Sequence, residues 1–217
     1  MSEPKAADRL PRGPHGLSRS EVAESQRSRM ITAMIDAVAD KGYVKTTVGD
    51  VLSRAGVSRA TFYEQFDDKA DCFRATYAYV TDMLGQVMDA ALTSLTTEEA
   101  HLDPISGIDT LIGWYLELLS QSPSLAKVFL VEVYATGPLV IEQRRATIDS
   151  FVELIITLLA DTPMPGTPDE QQFTIRALVT ALVALATEAV ATGEIDRLNE
   201  LRGPFGALVA RVFDPTG

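Results

Sequence analysis

The chain of 217 residues has one cysteine, Cys72, and two histidines, His15 and His101. A lone thiol excludes an internal disulfide framework, and so few thiols and imidazoles exclude a metal centre built from several Cys and His ligands. No metal and no cofactor is therefore expected. A Ser–His arrangement would rest on one of two histidines, and no paired acids stand at catalytic spacing, so an enzyme is not expected. Aromatic residues are sparse at 7%. The longest apolar stretch, between Arg176 and Glu188, has 11 residues, where a membrane span needs about 20. The N-terminus lacks the apolar run of a signal peptide, and the reading is a cytoplasmic protein.

Positive charge is also scarce: the net charge is −11, which taken whole speaks against nucleic acid. The deficit is uneven. Residues 1–75 hold 12 Lys+Arg against 11 Asp+Glu, whereas residues 76–217 hold 7 against 19. The front half can meet a polyanion while the acidic rear stays away from it, because a local face matters more than the total.

What is present is helical patterning. Residues 1–24 read as a flexible basic arm, with Arg9, Arg12 and Arg19 among prolines and glycines, the composition of minor-groove arms. From Ser25, the residues Met30, Ile31, Met34, Ile35 and Val38 share one helical face, and Gly42 ends that helix. Short helices follow over 47–55 and 59–66, and a long one starts at Asp67 or Asp68. Further apolar stripes mark a helix over 108–119, a short one from Ser122-Pro123 through Tyr134, a long one over 148–159, and helices near 169–192 and 195–213, the last interrupted at Gly203-Pro204. No alternating strand and no repeat is found. The fold class is all-α.

The block TTVGDVLSRAGVSRATFYEQFDDK, residues 46–69, carries the chemistry. Thr47 caps the second helix, Gly56 supplies a sharp turn, and Ser58 caps the third helix. Phe62 and Phe66, four apart, bury the third helix, leaving Ala60, Thr61, Tyr63 and Glu64 facing outward. This is a helix-turn-helix, whose second helix enters the DNA major groove. Arg59 at its start can donate two hydrogen bonds to guanine, and Glu64 can accept from a cytosine amino group. Gln65 offers an extra contact. Lys69 sits in the first turn of a helix, where the dipole disfavours a cation and a phosphate would account for it.

Gly42-Tyr43, Thr46-Thr47-Val48, Ala55-Gly56-Val57-Ser58, Thr61-Phe62-Tyr63, Phe66 and Lys69 together resemble the TetR family of bacterial regulators over about residues 26–73. The resemblance implies a three-helix helix-turn-helix domain (25–72) joined through a long helix to a helical effector-binding and dimerisation domain (73–217). It implies a homodimer that binds a double-stranded inverted-repeat operator, usually as a repressor released by a small effector. It assigns backbone phosphate contacts to Thr47, Tyr63, Thr61 and Lys69, beside Ser58, Arg59 and Ala60 at the start of the recognition helix. Gly49 departs from the pattern, because some members carry a base-reading side chain there and glycine cannot read a base.

In the rear, Met83, Met88, Trp114 and Phe151 are expected around an apolar effector pocket, with Glu117, Glu132 and Tyr134 as its polar groups. Phe173, Leu178, Leu182, Leu185 and Ala189 make one helix apolar nearly all round, which requires burial inside the subunit, between subunits, or both. Two other readings stay open at this stage. One is a helical carrier or enzyme for a hydrophobic ligand with an incidental helix-turn-helix. The other is an activator that needs no effector.

Overall fold

The computed structural model describes residues 18–96 and 103–213; Arg9, Arg12, His15 and His101 lie outside them. Among the described residues there are nine α-helices and no strand. These are α1 (Arg19–Lys41), α2 (Val48–Ala55), α3 (Arg59–Tyr63), α4 (Lys69–Thr96), α5 (Pro104–Gln121), α6 (Pro123–Leu130), α7 (Pro138–Leu158), α8 (Pro168–Thr192) and α9 (Arg197–Val212). A 3-10 turn, Glu132–Ala135, links α6 to α7.

The first helix begins six residues before Ser25, so Arg19 belongs to α1 and not to the arm. Ser18 and Glu21 explain the shift: the Ser18 hydroxyl accepts from the Glu21 N–H while the Glu21 carboxylate accepts from the Ser18 N–H. This reciprocal box satisfies two of the orphan donors of a helix start. Gly42 closes α1 at φ 81°, a conformation that side chains avoid.

Around α1 the front core assembles from residues buried almost completely: Met30, Met34, Val38, Val51, Phe62, Phe66 and Phe73. Tyr43 meets Phe73 edge-on at 4.9 Å. Helix α4 then runs on for 28 residues through the expected domain boundary at 72/73, carrying Cys72, Tyr77, Val80, Leu84 and Met88 into the rear core. At about 1.5 Å per residue, Lys69 and Met88 stand roughly 28 Å apart on one rod.

The rear is a bundle of α4–α9, with α5 and α9 the closest pair. Pro204 does not break α9, contrary to the sequence expectation. The turns on both sides of it are tied to α5: Leu198, Phe205 and Val209 are buried, Arg202 pairs with Asp109 at 2.9 Å, and the Arg202 guanidinium lies across Gly113. A Cβ on Gly113 would meet that guanidinium at 2.7 Å, so the glycine is what allows the approach. Helix α8 is long and apolar enough to cross a membrane by length and composition, yet it carries Asp169, Glu170, Arg176 and Glu188 and packs beside α6, α7 and α9. Only a third of its most apolar stretch is buried inside the chain.

Candidate functional site

Helices α2 and α3 meet through Gly56, which takes the left-handed conformation (φ 63°, ψ 40°) at the end of α2. Ser58 then caps α3, its hydroxyl accepting from the Thr61 N–H at 3.1 Å and lying 2.9 Å from the Thr61 hydroxyl. Phe62, wholly buried and flanked by Phe66 at 5.5 Å, fixes the rotation of this short helix. That rotation leaves Ser58, Arg59, Ala60, Tyr63 and Glu64 exposed, with Thr61 and Gln65 half-buried. No hydrogen bond or ion pair holds the side chain of Arg59 or Glu64 among the described residues. Tyr63 is 51% exposed and stands edge-on to Phe62.

Thr47 caps α2 from an exposed position: its hydroxyl accepts from the Asp50 N–H, and the Asp50 carboxylate accepts from the Thr47 N–H and hydroxyl. Lys41 pairs with Asp50 at 2.6 Å, and this contact, with Thr47, holds the Asp50 carboxyl well below the usual carboxylate range.

Lys69 is tied into the protein as well. Its ammonium donates to the carbonyls of Tyr43 (2.9 Å) and Thr46 (3.0 Å) and lies 4.1 Å from the centre of the Tyr43 ring. Partial burial lowers its pKa. Two of its three donors are committed to the α1–α2 loop, so the lysine holds the segment that presents Thr47. The backbone carbonyls give a cation at the start of a helix a partner within the protein, beside the phosphate contact expected from the sequence. Arg27 plays a matching part behind α3, donating to the Gln65 carbonyl at 3.1 Å and covering the Phe66 ring.

A rear cavity of about 80 Å³, partly open to solvent, lies between α4, α5, α7, α8 and α9. Its wall is almost wholly apolar, with Met88, Ile112, Tyr115, Phe151, Ile175 and Phe205 among the lining residues. Of the seven residues expected there, Met88 and Phe151 line it. Met83 and Trp114 are half-buried elsewhere on α4 and α5, and Glu117 is exposed, accepting from Gln121. Tyr134 is 60% exposed under the Arg144 guanidinium. Their helices were placed correctly, but a stripe of apolar residues does not say which rim of it faces a void.

Glu132 is corrected from pocket to junction. Its carboxylate accepts from the Tyr43 N–H at 2.8 Å, beside Gly42. Lys127, one helix back, donates to the Ala39 carbonyl at 2.7 Å. The two side chains clasp the end of α1, so the rear bundle grips the same loop that Lys69 braces from the other side. No local pattern marks these residues, because their partners lie 88 and 89 positions away. Arg144, also missed, had a readable signal: the stripe Ile148, Phe151, Ile155 extended one turn back lands on it, and the arginine is 7% exposed.

The comparisons with known proteins agree with this geometry. Residues 31–76 match the model for bacterial regulatory proteins of the tetR family. The HTH-type transcriptional regulator RutR of Escherichia coli O157:H7 is 22% identical over 142 residues, 65% of this chain. The match spans 64% of that relative's length. Among solved structures, the fatty acid degradation regulator FadR from Bacillus halodurans aligns with TM-score 0.69 at 18% identity, over 92% of this chain and 96% of that one. FadR from Bacillus subtilis, solved in complex with stearoyl-CoA, aligns with TM-score 0.68 at 16% identity, over 84% and 96%. At such identities the structural likeness shows the fold, an N-terminal helix-turn-helix domain followed by a helical C-terminal domain. Over residues 31–76, which include the capped recognition helix, the chain is similar to bacterial regulatory proteins of the tetR family, and its whole fold is the one these solved structures share.

Proposed function

We propose that the protein is a homodimeric repressor that holds an inverted-repeat operator and lets go when a small apolar effector fills the rear cavity. The observation that carries this reading is the recognition helix itself: Arg59 stands exposed and unpaired at its start while Ser58 and Phe62 fix the helix behind it. Arg59 reads a guanine edge, Glu64 and Gln65 face bases or solvent, and Thr47, Ser58, Ala60, Thr61 and Tyr63 approach the backbone.

The dimer is supported by α8 and α9. On α8 the exposed residues Phe173, Ala177, Ala181, Ala184 and Leu185 recur every three or four positions, and Phe173 is 72% exposed. Pro204, Ala207 and Leu208 continue an apolar surface on α9. Leu178, Leu182 and Ala189 belong to the subunit's own interior, so the helix divides its apolar surface between core and partner. A C2 pair would present two α3 helices to successive major grooves about 34–36 Å apart.

The cavity supports an effector with an apolar body, as the stearoyl-CoA complex of the Bacillus subtilis relative does. An effector weakens DNA binding only if it prefers a dimer geometry that mismatches the two grooves. Selection from a random duplex library with the full chain tests the reading. The expected product is an inverted repeat with half-site centres one helical turn apart, bound by a dimer in sedimentation. Recovery of no sequence preference would overturn it.

A further inference from the structure

A charge buried without a counter-charge marks the rear bundle. Arg144 is 7% exposed on α7, and no carboxylate lies within ion-pair distance of it among the described residues. Its guanidinium donates to the Phe129 carbonyl at a long 3.3 Å and covers the Tyr134 ring at 4.9 Å. A ring face and one distant carbonyl are poor substitutes for the anion that a buried guanidinium normally finds.

Two hydroxyls share this neighbourhood. The Tyr77 and Tyr115 hydroxyl oxygens are both buried without a hydrogen-bond partner, an arrangement that native interiors rarely leave standing. The Arg144 charge acts on both phenols, opposing the upward push of burial; Tyr77 still sits at about 12, so each remains a neutral O–H donor. The Tyr77 hydroxyl stands within reach of both the Arg144 guanidinium and the Thr147 hydroxyl, though neither forms a bond of good geometry with it. Among these groups the Tyr115 hydroxyl has no partner among the described residues, and the guanidinium has no anion.

The cluster adjoins the cavity. Tyr115 belongs to the cavity wall, and its ring meets that of Phe151, another wall residue, at 6.3 Å. Arg144 lies seven residues before Phe151 and eleven before Ile155 on one face of α7, and both of those residues line the cavity. Arg144 and Tyr77 stand behind the apolar wall, and Tyr115, whose ring belongs to that wall, is the link between them and the chamber. We propose that Arg144, with the Tyr115 and Tyr77 hydroxyls, receives the carboxylate of an amphipathic effector whose apolar chain occupies the cavity. A carboxylate offers the guanidinium a bidentate partner and each phenol an acceptor.

This inference rests on the proposed effector role of the cavity, and the test separates the two. Binding of decanoate, 1-decanol and decyltrimethylammonium to the full-length protein is measured by calorimetry, each below its micelle or solubility limit. Decanoate is expected to bind at least about tenfold tighter than decanol, with decyltrimethylammonium weakest. Arg144→Met should abolish the preference for decanoate while leaving decanol affinity within about twofold. Tyr115→Phe should weaken decanoate several-fold. A merely structural arginine would change the affinity for all three probes together. Because exchange of a buried charge for an apolar side chain is often neutral or stabilising, Arg144→Met should keep its melting temperature; retention of decanoate preference in Arg144→Lys supports the charge as the cause. Equal affinity of wild type for decanoate and decanol would overturn the anchor while leaving the cavity's role intact. No binding of any probe would overturn the cavity reading beneath it.

Discussion

Lys69 shows how one residue type at one position can have two explanations that differ in what they predict. A lysine in the first turn of a helix looks misplaced until its ammonium is found on the carbonyls of Tyr43 and Thr46. Hydrogen bonds from a charged donor contribute about 1.5–3 kcal/mol where they are well formed. Lys69→Met is therefore expected to lower stability by about 1–3 kcal/mol in urea unfolding, and to loosen the loop carrying Thr47. Unchanged stability with a salt slope of DNA binding shallower by about one would instead make Lys69 a phosphate contact. Gly56 is the second position where the local chemistry is strict. In its left-handed conformation an alanine costs about 1–2 kcal/mol, so Gly56→Ala should shift the unfolding midpoint accordingly. A midpoint equal to that of the wild type would mean that the turn has another conformation.

At the scale of elements, caps set the boundaries more sharply than apolar periodicity does. Ser58 and Thr47 were legible as caps because each precedes a patterned segment. Ser18 is a cap that apolar periodicity does not reveal, because the residues after it are polar, and α1 therefore extends further toward the N-terminus than its apolar face. Proline at 204 was read as a break because its local effect is known, whereas its tolerance depends on α5, about 90 residues away in sequence. The α2 cap also carries a pH dependence. Asp50 has its folded pKa depressed by Lys41 first and Thr47 second, so its contribution is present above the unfolded value near 3.8 and is lost as pH falls through the lower folded value. Acid unfolding followed from pH 5 downward should be flatter for Asp50→Asn than for wild type below pH 4. Identical acid profiles would show that the box contributes nothing.

For the whole molecule, the recognition block was readable because a helix-turn-helix is local: twenty-four residues contain its caps, turn and core. The rear site was not, since the cavity draws on five helices and its walls differ from ordinary core only by a missing neighbour. The Glu132 and Lys127 clasp was hidden for the same reason. It connects the rear bundle to the loop between α1 and α2, in parallel with the α4 rod, so an effector in the proposed role would have two routes to the recognition helix. Glu132→Ala should raise amide hydrogen exchange at residues 42–46 while leaving α8 and α9 unchanged. Protection of the loop at wild-type levels would remove the clasp from the coupling path.

The central claim is that α3 reads base sequence through Arg59, and one titration tests it most directly. Fluorescence anisotropy of the selected inverted repeat and of a scrambled duplex is followed with wild type and Arg59→Ala at two salt concentrations. The account predicts that the substitution costs about 1–3 kcal/mol on the selected site and flattens preference at one base position in each half-site. Binding to the scrambled duplex should weaken only by the loss of one charge, with the salt slope reduced by about one. An equal loss on both duplexes, with every base preference kept, would contradict the claim and reduce Arg59 to a phosphate anchor.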